Sequence, residues 1–121
     1  MTLYGGIGMS IRAILAQLNC SELEMSTVWY CKLFAREPDS RPMNHLSEWH
    51  HGDSAGLQLF ENAEHAGHGT LTLVVDDVQR EHLRLSEVGL MPGDVEPGKF
   101  SLIRLNDPDG NLVVLAQPTS D

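Results

Sequence analysis

The chain has 121 residues, 41% of them hydrophobic and 21% charged, which suits a single folded domain with its own core and excludes wholesale disorder. Eight Lys+Arg stand against 17 Asp+Glu, a formal net charge of -9, so phosphate backbones and anionic membrane surfaces are repelled and neither nucleic acid nor membrane is expected as a partner. No apolar run approaches the ~20 residues of a membrane-spanning helix, and Met1–Ser10 lacks the basic-then-apolar order of a secretory leader, so a cytoplasmic location is expected.

Residues 1–10, with Gly5, Gly6 and Gly8, read as an irregular arm. From Ile11 to Cys20 the pattern alternates as a strand does, with Ile14, Ala16, Leu18 and Cys20 on one face and Leu15, Gln17 and Asn19 on the other. Ser21 followed by Glu24 is a capping-box pattern that opens a helix. Leu23, Thr27, Tyr30 and Phe34 then recur at helical spacing, widened by Trp29 and Leu33, and Glu37-Pro38-Asp39 is expected to end the element. Two strands fit around Arg41 to His51, and Leu57-Gln58-Leu59-Phe60 reads as a third. Cys20 and Cys31 have neither metal nor redox spacing and read as reduced thiols.

The second half opens on a strand with Leu71, Leu73 and Val75 on one face and Thr70, Thr72 and Val74 on the other. Asp76-Asp77 supplies cap oxygens for a helix over Val78 to Val88, and Gly89 suits a left-handed stop with Leu90 behind it. Two strands fit around Gly93 to Leu105, and Asp107-Pro108-Asp109-Gly110-Asn111 is a turn before the last strand. Leu18 falls on Leu73 at an offset of 55 residues, which also places Cys20 on Val75 and Leu23 on Val78. Leu57–Phe60 falls on Val113–Ala116 at an offset of 56. The chain therefore reads as two tandem βαβββ modules, about residues 11–64 and 68–118, within one domain over 1–121.

This duplicated pattern, the closing run Asp107 to Leu115 and the pair Trp29-Tyr30 resemble the vicinal oxygen chelate superfamily, which includes glyoxalase I, extradiol dioxygenases and bleomycin-resistance proteins. The resemblance covers about residues 11–118. It implies an α+β fold in which two βαβββ modules form a curved mixed sheet with a concave cleft. In the enzymes of the superfamily the concave face holds a divalent metal. Carried over, the ligand positions fall on Leu15, Gln58, Thr70 and Val114, and Leu and Val cannot ligate a metal while Thr is a poor neutral ligand. No metal or other cofactor is expected on this ground. The opposing possibility is a metal-dependent lyase or dioxygenase that uses displaced histidines such as His51 and His68, with Gln17 beside them. His45, His50, His65 and His82 read as surface, loop or helix residues.

A cleft of mixed polarity remains. On strand parity its candidate ligand-binding residues are Gln17, Asn19, Trp49, Gln58, Phe60, Thr70, Thr72 and Val114. Ser47 and His51 share the face assigned to Trp49, which offers either a flat stacking surface or a core side chain. Glu48 and His51 could exchange protons with a substrate, but their opposite parity keeps them apart. No nucleophile elbow, phosphate loop or redox dithiol is present, so no catalytic residue is assigned. The resemblance to the metal-free, drug-sequestering branch implies a small, partly apolar ligand and a homodimer. A protein-interaction module with an idle cleft is the alternative from another class.

Overall fold

The computed structural model describes Leu3 and residues 5–119. The first alternating segment becomes strand β1, Ile14–Cys20. It starts at Ile14 rather than Ile11 because its parallel partner, β3 (Ala55–Glu61), begins opposite it at Ala55. Strand β2 (Leu46–His51) completes this sheet as an antiparallel hairpin with β3, giving the order β1-β3-β2.

Helix α1 spans Leu23–Phe34. Its expected capping box does not form: Glu22 holds the cap position and no local side chain closes the first turn. Two distant carboxylates serve instead. Glu61 accepts from the Leu23 N–H at 2.9 Å, and Asp109 accepts from the Ser21 N–H at 3.0 Å. Orphan N–H groups and the positive end of the helix dipole favour such acceptors wherever in the sequence they originate. The helix stops at Ala35, in the left-handed conformation with φ 57°, so it ends before Pro38 can interrupt it.

The second module repeats the plan. Strand β4 (Thr70–Val74), helix α2 (Val78–Glu87), β5 (Phe100–Asn106) and β6 (Leu112–Pro118) form a sheet of order β4-β6-β5. Here the local signals hold. Asp77 accepts from the Arg80 N–H at 3.1 Å, and Gly89, with φ 83°, turns the chain so that the Leu90 N–H reaches the Leu85 carbonyl.

Each module has sequence room for two strands between its helix and its last strand, but only one is regular. The other contracts to a single antiparallel bridge, Ser40↔Glu48 in the first module and Glu96↔Leu102 in the second. Pro38 and Pro42 flank the first bridge and Pro92 and Pro97 the second, and a residue without an N–H cannot extend a ladder.

One hydrophobic cluster takes Leu18, Tyr30, Trp49 and Leu59 from the first module and Leu71, Leu85, Ile103 and Val113 from the second. Two polar links join the halves beside it. Arg84 of α2 donates to the Lys32 and Leu33 carbonyls at the end of α1, at 2.9 and 2.6 Å, where a cation also suits the helix dipole. The turn over residues 107–111 does more than reverse the chain. Asp107 accepts from the Tyr30 hydroxyl at 2.7 Å, from the Asn111 amide side chain at 2.8 Å, and from the Asp109 and Asn111 backbone N–H groups at 2.9 Å each. Asn111 in turn donates to the Asn19 carbonyl and accepts from the Gly69 N–H. Burial, then the Asp107 charge, drives the Tyr30 phenol far above its ordinary range, so Tyr30 is a fixed donor.

Candidate functional site

Strand register decides which side chains share the sheet face opposite the helices. In the first module Gln17, Gln58 and Glu48 form one row across β1, β3 and β2. The row on one side is Leu15, Gly56 and His50, and that on the other is Asn19, Phe60 and Leu46. In the second module the corresponding rows are Thr70, Leu112 and Asn106, then Thr72, Val114 and Arg104, then Val74, Ala116 and Leu102. Gln17, Asn19, Gln58 and Phe60 thus gather on one open face, and Thr70, Thr72 and Val114 on the other. Gln17, Thr70 and Thr72 are exposed, Asn19, Gln58 and Phe60 half-buried, and Val114 buried.

Trp49 and Ser47 are not on that face. They stand opposite Leu57 and Leu59, on the core side of the sheet. Trp49 is 2% exposed, with ring centroids 5.5 Å from Phe34 and 6.1 Å from Tyr30, and its indole N–H donates to the Arg36 carbonyl at 3.1 Å. Ser47 is paired with Thr27 at 3.1 Å inside the core. The expectation that Trp49 offers a stacking surface in the cleft is therefore corrected. The phase of β2 is set by its pairing with β3, and the aromatic cluster of α1 takes up the indole.

The same phase brings Glu48 and His50 onto the open face. Glu48 Oε1 lies 2.6 Å from His50 Nε2, and Glu48 Oε2 accepts from Gln58 Nε2 at 2.9 Å. The hydrogen bond from Gln58, followed by the contact with His50, holds the Glu48 carboxyl below the usual glutamate range. Glu48 and His51 do have opposite parity, as the sequence indicates. The informative pair is two residues apart rather than three, and the strand period alone carries that signal.

The remaining reactive groups are quiet. Cys20 and Cys31 are free, and burial pushes each thiol up to about 11, leaving little thiolate at neutral pH. His45 pairs with Glu61 at 3.1 Å, and His65 lies in a short 3-10 turn, Ala63–His65. His51 ends β2 and His68 precedes β4 in the other module. Two cavities lie away from the central rows. One, of about 400 Å³, is beside the start of α2 and lined by Asp77, Arg80 and Arg84; the other, of about 530 Å³, lies between α1 and the 41–46 segment, against Arg41, Met43 and His45.

No protein-family profile matches the chain, and no curated protein sequence does. Solved structures do match. The glyoxalase/bleomycin resistance protein from Catenulispora acidiphila DSM 44928 superposes with a TM-score of 0.83 at 25% identity, over 91% of this chain and 100% of that one. TnmS3, an antibiotic binding protein from Streptomyces sp. CB03234, gives 0.79 at 23% identity over 94% and 100%. A bleomycin-binding protein complexed with bleomycin gives 0.73 at 20% identity over 91% and 100%. The architecture is that of the vicinal oxygen chelate fold, an α+β arrangement in which the described residues form two three-stranded mixed sheets and two helices and close no barrel.

At the four positions where the resemblance places metal ligands, Leu15 and Val114 offer no ligand atom, Thr70 is a weak neutral one, and Gln58 keeps one amide oxygen while its amide nitrogen donates to Glu48. Among the described residues no group of three or more His, Cys, Asp or Glu is arranged to hold an ion. Among them, too, no helix is long and apolar enough to cross a membrane.

Proposed function

We propose that this chain is a glyoxalase/bleomycin-resistance-type protein that binds a small, partly apolar molecule on its open sheet faces without a resident metal. The observation that carries this reading is the composition of the first module's face. The amides of Gln17, Asn19 and Gln58 stand beside Leu15 and Phe60. Apolar walls with a few fixed polar groups are what a small-molecule site requires. Thr70, Thr72 and Val114 supply the matching face of the second module. Two of the structural neighbours are by their names an antibiotic binding protein and a bleomycin-binding protein, which supports a binding role.

The working unit is a homodimer in this reading. Leu15, Val74 and Phe100 lie on the open faces and are 42%, 69% and 48% exposed. A second copy and a bound ligand together would cover them. The test pairs sedimentation with a thermal-shift screen of bleomycin and a panel of small planar and cationic compounds. The reading expects a dimer and saturable stabilisation by at least one compound, lost on Gln17→Leu while the unliganded melting temperature is kept. A monomer that no compound stabilises would refute it and favour a protein-interaction module.

A further inference from the structure

The Glu48–His50 pair has the build of a recognition device. Both carboxylate oxygens of Glu48 are engaged, one with His50 and one with Gln58, and the side chain is 13% exposed, so it cannot swing out to meet a ligand. The imidazole of His50 is 44% exposed and is the group that a ligand would touch. An ionised carboxylate only accepts, so the ring proton of neutral His50 sits on Nε2, and Nδ1 is left as the free acceptor. Space for this arrangement comes from Gly56, opposite His50 on β3. A Cβ there would lie 2.8 Å from Leu15 Cδ2 and in ordinary contact, 3.6 Å, with His50 Cδ2, so its absence lets the leucine close over the strand beside the imidazole.

We propose that His50, oriented by Glu48, recognises a cationic N–H donor on the ligand, such as an amidinium, guanidinium or ammonium group. The inference deepens the ligand-binding reading and rests on it. Neutral His50 and ionised Glu48 together carry one negative charge and present a lone pair, which suits a cationic donor and repels a carboxylate. Of the charged groups that contact His50 through its backbone, Arg36 and Asp39 balance each other. Arg36 donates to the His50 carbonyl and pairs with Asp39 at 3.0 Å, while Asp39 accepts from the His50 N–H at 2.6 Å. From β1 and β3, Leu15, Gly56 and Gln58 bring no charge. The charge of Glu48 therefore sets the sign of the site.

The test is an NMR titration of the full chain with benzamidinium, benzamide and benzoate at about pH 8.5. Benzamidinium should shift the His50 ring and Gln58 side-chain signals saturably and bind about tenfold tighter than benzamide, as a charge-assisted bond should over a neutral one. Benzoate should not bind. Glu48→Gln should weaken benzamidinium by about tenfold, and His50→Gln should abolish its preference over benzamide. Equal binding of the three probes, a preference that survives both variants, or no shift of His50 with any probe would overturn the proposal. Probes that move Gln17, Gln58 and Phe60 without charge preference would end it while leaving the ligand-binding reading intact.

Discussion

The two modules share a frame and differ in what they place on it. The central open row reads Gln17, Gln58, Glu48 in the first and Thr72, Val114, Arg104 in the second. Glu48 is locked to two neighbours on its own face, whereas Arg104 leaves its row to pair with Glu96 of the bridging segment at 2.9 Å. The hairpin loops differ in the opposite sense. Residues 52–54 of the first module form a short exposed turn, while residues 107–111 of the second form a clamp around buried Asp107 and Asn111. The first module thus carries the chemistry on its sheet, and the second carries the fastening. The helix starts follow this division in part, since α1 draws on Asp109 of the other module as well as its own Glu61, and α2 on its own Asp77.

That division can be broken most forcefully at Trp49. Truncation to alanine removes a fully buried indole from between Tyr30 and Phe34, and the expected cost is about 3–5 kcal/mol, read as loss of the cooperative melt or a large drop in its midpoint. A folded Trp49→Ala protein of near-normal stability would return the side chain to the cleft. Next in size is Asp107→Ala, which leaves the Tyr30 hydroxyl and Asn111 amide buried without their acceptor, at about 3 kcal/mol. Asp53→Ala, in the exposed turn of the first module, should stay within about 0.5 kcal/mol. Similar denaturant midpoints for these two variants would mean that the clamp is no stronger than an ordinary turn.

The frame was legible in the sequence because periodicity, caps and turns are local. The 55-residue offset, the Asp77 cap and the Gly89 stop all follow from a few adjacent residues. What local pattern could not give is a partner chosen from far away. Ser21 and Glu24 spell a capping box, yet Glu61 and Asp109 occupy the start of α1. The prolines that suppress a strand in each module were in plain view, but only pairing shows which residue keeps the surviving bridge. The candidate site failed at Trp49 for a related reason. β2 alternates between Ser47-Trp49-His51 and Leu46-Glu48-His50 with large side chains on both faces, so its phase was undetermined until Glu48 was set against Gln58.

A smaller effect sharpens the contrast at one pair of positions. Gly56 and Leu112 are equivalent in the repeat, each on the middle strand of its sheet. Leu112 carries a large side chain there, whereas any Cβ at Gly56 would meet Leu15 Cδ2 and the Trp49 carbonyl at 2.8 Å each. Because one of the obstacles is backbone, Gly56→Ala should cost about 1–3 kcal/mol in chemical denaturation. It should also disturb the His50 resonances, while Leu112→Ala leaves them in place. An unperturbed His50 in Gly56→Ala would separate the glycine from the site.

The smallest expected effect is the pH dependence of stability, and its sign is fixed. The Glu48 carboxyl is lowered in the folded chain, chiefly by Gln58 and then by His50, so the folded state binds its proton more weakly than the unfolded state does. The resulting stabilisation is complete above the ordinary glutamate pKa of 4.5 and drains away as the pH falls through the lowered folded value. Glu48→Gln should remove this part of the acid-side slope and leave the neutral and alkaline limbs alone. Thr72→Val, in the equivalent row of the second module, changes no charged group and should not touch the slope. Denaturation midpoints measured from neutral pH down to about pH 3 would separate the two. If both variants keep the wild-type slope, Glu48 is not ionised against its neighbours in the way its hydrogen bonds indicate, and the charge assigned to the first module's face would have to be withdrawn.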